Sequence, residues 1–246
     1  MMLTIFAITV PGFLVGAIFM ALSSRRAPPG AMRQRWLKLT VFFLIVHAVL
    51  GVAALGPPWT TLLLAVIATA GALELRQAWR RMRAPRPALV WPAYALACVA
   101  ALAISLRLSG AAFAFLFLVT AATDGFSQVT GQLLGRHKLA PRISPAKTVE
   151  GLLGGLVAAA VVALLLRTVL LPVSIRVTLV LALGTGLAGL VGDLAASWVK
   201  RRAGIKDYSA ALPGQGGFLD RFDSLLGALA LAGVALLAVS ATPAAS

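Results

Sequence analysis

Negative charge is the scarcest thing in this sequence. Seven of its 246 residues are acidic, against 22 Lys and Arg, and all charged residues together make up 12%. A soluble domain carries about 25% charged residues, so a water-exposed globular surface is excluded. Cysteine is scarcer still. The single Cys98 lies in an apolar run, so neither an intrachain disulfide nor a thiolate metal site can form. There are two histidines, His47 in an apolar segment and His137 in a basic loop, and isolated histidines of this kind read as structural.

Apolar residues, in contrast, make up 60% of the chain. They fall into runs of about 20, the length that crosses a hydrocarbon layer as a helix. Eight spans are expected, at 3–22, 37–56, 58–76, 89–107, 110–131, 150–171, 176–198 and 219–241. Residues that do not easily continue a helix separate several of them: Pro57 and Pro58, Ser109 and Gly110, and Pro172. The expected fold class is therefore all-α, a polytopic integral membrane protein with about eight transmembrane helices. The first run is followed, not preceded, by Arg25 and Arg26, which reads as a retained helix rather than a cleaved signal. A Pro-rich basic stretch at 83–92 divides N-terminal helices (1–88) from a C-terminal functional part (89–246).

The basic residues report topology. The loops at 23–38, 76–88, 132–149 and 199–218, with Arg221 just beyond, hold 19 of the 22 Lys and Arg; the alternate loops hold Arg107, Arg167 and Arg176. By the positive-inside rule these four loops are cytosolic. The net charge of +15 is thereby accounted for without a nucleic-acid partner.

Applied to the acidic residues, this topology gathers them. Asp124, Glu150, Asp193, Asp207, Asp220 and Asp223 all fall at the cytosolic ends of the later spans or in the last basic loop. Ionisable groups within spans are costly and tend to mark function. Asp220 and Asp223 are three apart and share a helix face, as do Asp193, Ser197 and Lys200, and Asp124 and Gln128. Carboxylates without Cys or His favour a hard cation such as Mg²⁺, one ion or two, bound together with substrate phosphate. The run Pro213-Gly214-Gln215-Gly216-Gly217, placed before a helix start, is a candidate phosphate loop. Ser144 and Pro145 suit a helix N-cap and first helical residue, which would put Lys147 in a first turn.

Three stretches resemble the phosphatidate cytidylyltransferases, also called CDP-diglyceride synthases. Lys200–Ser224, KRRAGIKDYSAALPGQGGFLDRFDS, is similar to the family pattern of Lys-Arg, Lys-Asp, a Pro-Gly-His-Gly-Gly turn and Asp-Arg-x-Asp. Ile143–Gly155, ISPAKTVEGLLGG, is similar to its Ser-Pro-x-Lys-Thr segment, and Asp124–Leu139 is a looser match. GDLAASWVKR, Gly192–Arg201, extends the first stretch. The resemblance implies transfer of a cytidylyl group from CTP to phosphatidic acid or a similar lipid phosphate, with Mg²⁺, at the cytosolic face of the inner membrane. It implies Asp193, Asp220 and Asp223 as metal ligands, with Asp124 beside them, and Lys200 as a catalytic cation. Arg201, Lys206, Asp207 and Arg221 would hold substrate, with Ser144, Lys147, Thr148 and the turn Gly214, Gln215, Gly216 and Gly217 forming the cradle. A related transferase for another lipid or polyprenol, a non-catalytic lipid-binding protein and a transporter are the other readings, and a homodimer stays open.

The chain departs from that pattern at named positions. Gln215 stands where His is usual, Ala196 where Glu is usual, Ser127-Gln128 where Ala-Tyr is typical and Gln132 where Arg is typical. Gln hydrogen-bonds but does not titrate near neutrality, so a proton-transfer role at 215 has no group to perform it.

Overall fold

The breaks in the apolar pattern become helix ends. The computed structural model describes residues 2–23 and 29–241, so Arg25 and Arg26 lie outside the described residues. Eight helices follow one another among them: α1 (Met2–Ser23), α2 (Pro29–Leu55), α3 (Pro57–Arg81), α4 (Val90–Ser105), α5 (Gly110–Leu134), α6 (Val149–Leu170), α7 (Ile175–Arg202) and α8 (Phe218–Ala241). Five of these, α2, α3, α5, α6 and α7, are long and apolar enough to cross a membrane. The protein is an integral membrane protein.

Local chemistry sets the starts. Pro57 and Pro58 open α3, where a missing amide hydrogen costs nothing. Ser109 caps α5 by accepting a hydrogen bond from the Ala112 amide at 3.1 Å, and Ser174 caps α7 in the same way from Val177.

One start is not where the sequence suggests. Ser144 and Pro145 do not open a helix. Ser144–Thr148 is a strand, β2, paired antiparallel with β1 (Lys138–Ala140). Thr148 is the true N-cap of α6, accepting from the Gly151 amide at 3.1 Å. The Ser-Pro signal is local, whereas the hairpin is held by pairing with a segment outside its window. Lys147 is consequently on an extended backbone just before that N-cap, and its ammonium is paired with Asp193.

α5 is the central helix. Residues 112–120 are all buried, with Phe113, Phe115 and Val119 fully enclosed, as expected for a helix apolar all round. It packs most extensively on α6, while α7 packs on α8. The α5–α6 crossing is close because α6 presents glycine: a Cβ on Gly155 would lie 2.7 Å from the Thr123 carbonyl oxygen. Small residues at such crossings let helix backbones approach in a membrane.

Candidate active site at the ends of α5 to α8

A polar cavity of about 240 Å³ opens where the C-terminal halves of α5 and α7 meet the N-terminal turns of α6 and α8. Asp124, Asp193, Asp220 and Asp223 line it, together with Lys147, Lys200 and Arg221. Four carboxylates and three cations thus converge from three helices, α5, α7 and α8, and the hairpin.

Each carboxylate has a distinct setting. Asp193 pairs with Lys147 at 2.5 Å and accepts a hydrogen bond from Ser197 Oγ at 3.2 Å. Both members of this pair are about one-quarter exposed, at 24% and 22%, so the pair faces the cavity. Asp220 is more deeply placed. Its Oδ1 meets Lys200 Nζ at 2.7 Å, and its Oδ2 accepts from the amides of Tyr208 at 2.7 Å and Gly217 at 2.9 Å. The bond from Gly217, at the helix start, to Asp220 three residues on is half of a capping box. Asp223, 8% exposed, accepts from the Ser224 amide at 2.7 Å, and Asp193, Lys200 and Asp124 are its charged neighbours. Asp124 is within electrostatic reach of Arg221, Asp193 and Lys147.

The start of α8 is governed by a residue from far upstream. Glu74 on α3, 6% exposed, accepts from the amides of Phe218 at 3.0 Å and Leu219 at 2.8 Å, and from Ser209 Oγ at 2.6 Å. These are amides that a helix start leaves unpaired. Gly217 is required beside it, since a Cβ there would lie 2.6 Å from the Glu74 carboxyl carbon. The amides at 217–219 are therefore spent on Glu74 and Asp220, and the glycine turn shapes the site from behind. Glu74→Ala should lower the melting temperature in detergent. Hydrogen bonds to a charged group are worth about 1.5–3 kcal/mol each before compensation, so a net loss of about 2–4 kcal/mol is expected, with Glu74→Gln milder.

Gln215 is also a tether. Its Nε2 donates to the Lys38 carbonyl at 2.7 Å, and its Oε1 accepts from Arg221 at 3.5 Å. Arg221 in turn stacks over the Phe42 ring at 4.4 Å. The side chain at 215 thus fixes a cavity arginine against α2, a role that needs no titratable group. Tyr208 is a neutral donor: burial, reinforced by the Asp223 and Asp220 carboxylates, pushes its phenol up, and its hydroxyl donates to the Ala196 carbonyl at 3.1 Å.

The structure brings together Asp124, Lys147, Thr148, Asp193, Lys200, Asp220, Arg221 and Asp223 on one cavity wall. Ser144, Arg201, Lys206, Asp207 and the turn Gly214–Gly217 do not line it. Ser144 is in the hairpin register opposite Ala140. Arg201 is exposed and donates to the carbonyls of Ile143 and Ile205. Lys206 and Asp207 are exposed on the loop. Glu150, grouped by depth with the other acids, instead accepts from the amides of Arg136 and His137 and from His137 Nδ1 at 2.6 Å, closing the loop before β1. Thr123, Ser127 and Ser224 also line the cavity; Ser127 and Ser224 belong to the family-like stretches, and Thr123 carries no pattern that marks it in advance.

The donor set is wholly oxygen, the chemistry of a hard cation. Among the described residues no three acidic, His or Cys side chains form a ready-made metal cluster.

Comparison with known proteins shows what the chain as a whole is similar to. A family model described as "Cytidylyltransferase family" matches residues 4–239. A phosphatidate cytidylyltransferase of Staphylococcus saprophyticus is 40% identical over 126 residues, 51% of this chain and 48% of that protein. One of Brucella abortus is 43% identical over 148 residues, 57% of this chain and 55% of that protein. The chain spans about half the length of the curated relatives it matches.

Proposed function

Because the chain belongs to the cytidylyltransferase family, we propose that it transfers the cytidylyl group of CTP to phosphatidic acid or a close analogue, giving CDP-diacylglycerol and pyrophosphate. The observation that carries this reading is the single cavity in which Lys147, Lys200 and Arg221 stand beside four carboxylates at the end of a membrane helix bundle. The basic loops support placing that end at the cytosolic face of the inner membrane, where CTP is available.

The chemistry needs no nucleophile from the protein. An oxygen of the lipid phosphate attacks the α-phosphorus of CTP. The bond from that phosphorus to the β-phosphate oxygen breaks, and pyrophosphate leaves with the electron pair. Lys147, Lys200 and Arg221 would neutralise phosphate oxygens as charge shifts to the leaving group, and the cavity would hold the two anionic reactants in line. Mg²⁺ would be held by one or two of Asp193, Asp220, Asp223 and Asp124 together with substrate phosphate. When bound, the ion would offset the charge of the triphosphate and polarise the reacting phosphoryl group.

Purified protein in detergent, supplied with CTP, phosphatidic acid and Mg²⁺, should release pyrophosphate and form CDP-lipid in equal amounts. Nucleotide binding with no turnover on any of a panel of lipid phosphates would overturn the reading.

A further inference from the structure

A second cavity, of about 460 Å³, lies behind the polar one. Its volume falls in the range of small-molecule sites, yet its chemistry is the opposite of its neighbour's. α4 and α7 both pack on α8 and hardly touch each other, which leaves a groove floored by α8. Ala93 and Ala97 form one wall, Gly192 and Ala196 the other, and Leu226 lies on the floor. Both tyrosine hydroxyls on the wall are already spent, Tyr94 on the Ala68 carbonyl at 2.7 Å and Tyr208 on the Ala196 carbonyl. Water would find few partners here.

Two features point to the occupant. Asp223 lines both cavities, so one amphiphile can present its phosphate to the first and its hydrocarbon to the second. The rim carries Leu89, 77% exposed, with Ala93 and Ala195 exposed nearby, so the groove opens sideways on an apolar helix face. We propose that this groove holds an acyl chain of the lipid whose phosphate enters the polar cavity. This rests on the lipid-acceptor reading given above.

The test uses phosphatidic acid carrying a photoreactive diazirine near the glycerol end of one acyl chain, irradiated with the intact protein in lipid nanodiscs. Label is expected within residues 89–97 and 192–199. Label confined to the outer faces of α6 and α7, for instance at Val157 and Val180, would overturn the proposal. Independently, Ala97→Phe should raise the KM ratio of long-chain to dihexanoyl phosphatidic acid about tenfold, since it removes binding that only the long chain enjoys. An unchanged ratio would also overturn it. If the unaltered protein makes no CDP-lipid, the cytidylyl reading falls while the labelling pattern still decides the groove.

Discussion

Asp220→Asn should abolish CDP-lipid formation and destabilise the protein in the same step. The Asp220–Lys200 pair is nearly enclosed, with side chains 5% and 10% exposed. The Asn carbonyl can still accept from the Tyr208 and Gly217 amides. Its NH₂ group, however, would then face Lys200, leaving a buried ammonium without a counter-charge. Breaking one partner of a buried pair costs about 3–5 kcal/mol, a large share of the stability of a typical domain. Activity should fall by at least about 10²-fold, the scale for losing one preorganised charged group. The double variant Asp220→Asn with Lys200→Met separates the two effects. It removes the orphaned charge, so the melting temperature should recover by more than half while activity stays absent. Thermal unfolding in detergent and a CDP-lipid assay on the three proteins decide the matter. Full activity in Asp220→Asn would remove this pair from the machinery.

The second large effect has a different signature. Asp193→Asn and Lys147→Met should each reduce turnover by about 10²–10³-fold while changing stability by only about 1 kcal/mol or less. The reason is exposure: a pair about one-quarter open to solvent is partly screened and contributes little to folding. If both residues serve the reacting phosphates, the loss should appear in kcat/KM with melting temperatures close to the parent's. A melting temperature that falls in step with activity would assign the pair a structural role instead. The contrast with Asp220 is the informative result, because the two carboxylates line the same cavity and differ in burial and partners.

Much of this site is legible in the chain itself. Helix ends follow from Pro57, Pro58, Ser109 and Pro172, and the helical spacing of Asp220 with Asp223 and of Asp124 with Gln128 does put each pair on the cavity. The β-hairpin is not legible. Ser144-Pro145 carries a helix-start signal, and the strand exists because Lys138–Ala140 lies beside it. Depth alone also groups too many acids. Glu150 and Asp207 lie at the right level but away from the cavity, since depth is one coordinate and a site needs three.

Glu74 shows the limit most clearly. It is the lone acid of the first hundred residues, and nothing near it in sequence says whether it pairs with Arg76 or Arg80 or reaches the site. The fold gives it the amides of Phe218 and Leu219, 144 and 145 residues away.

The scarcity of charge by itself determined that this chain is a membrane helix bundle and that its carboxylates collect at one end. Both follow from local physics: apolar runs partition into lipid, and ionised groups avoid it. Only the tertiary structure decided which carboxylates share a wall, that Asp193 meets Lys147 of the hairpin, and that Asp223 borders both a polar cavity and an apolar one. Those relations depend on helix rotation and crossing, which are set by close contacts such as Gly155 against Thr123 between residues distant in sequence.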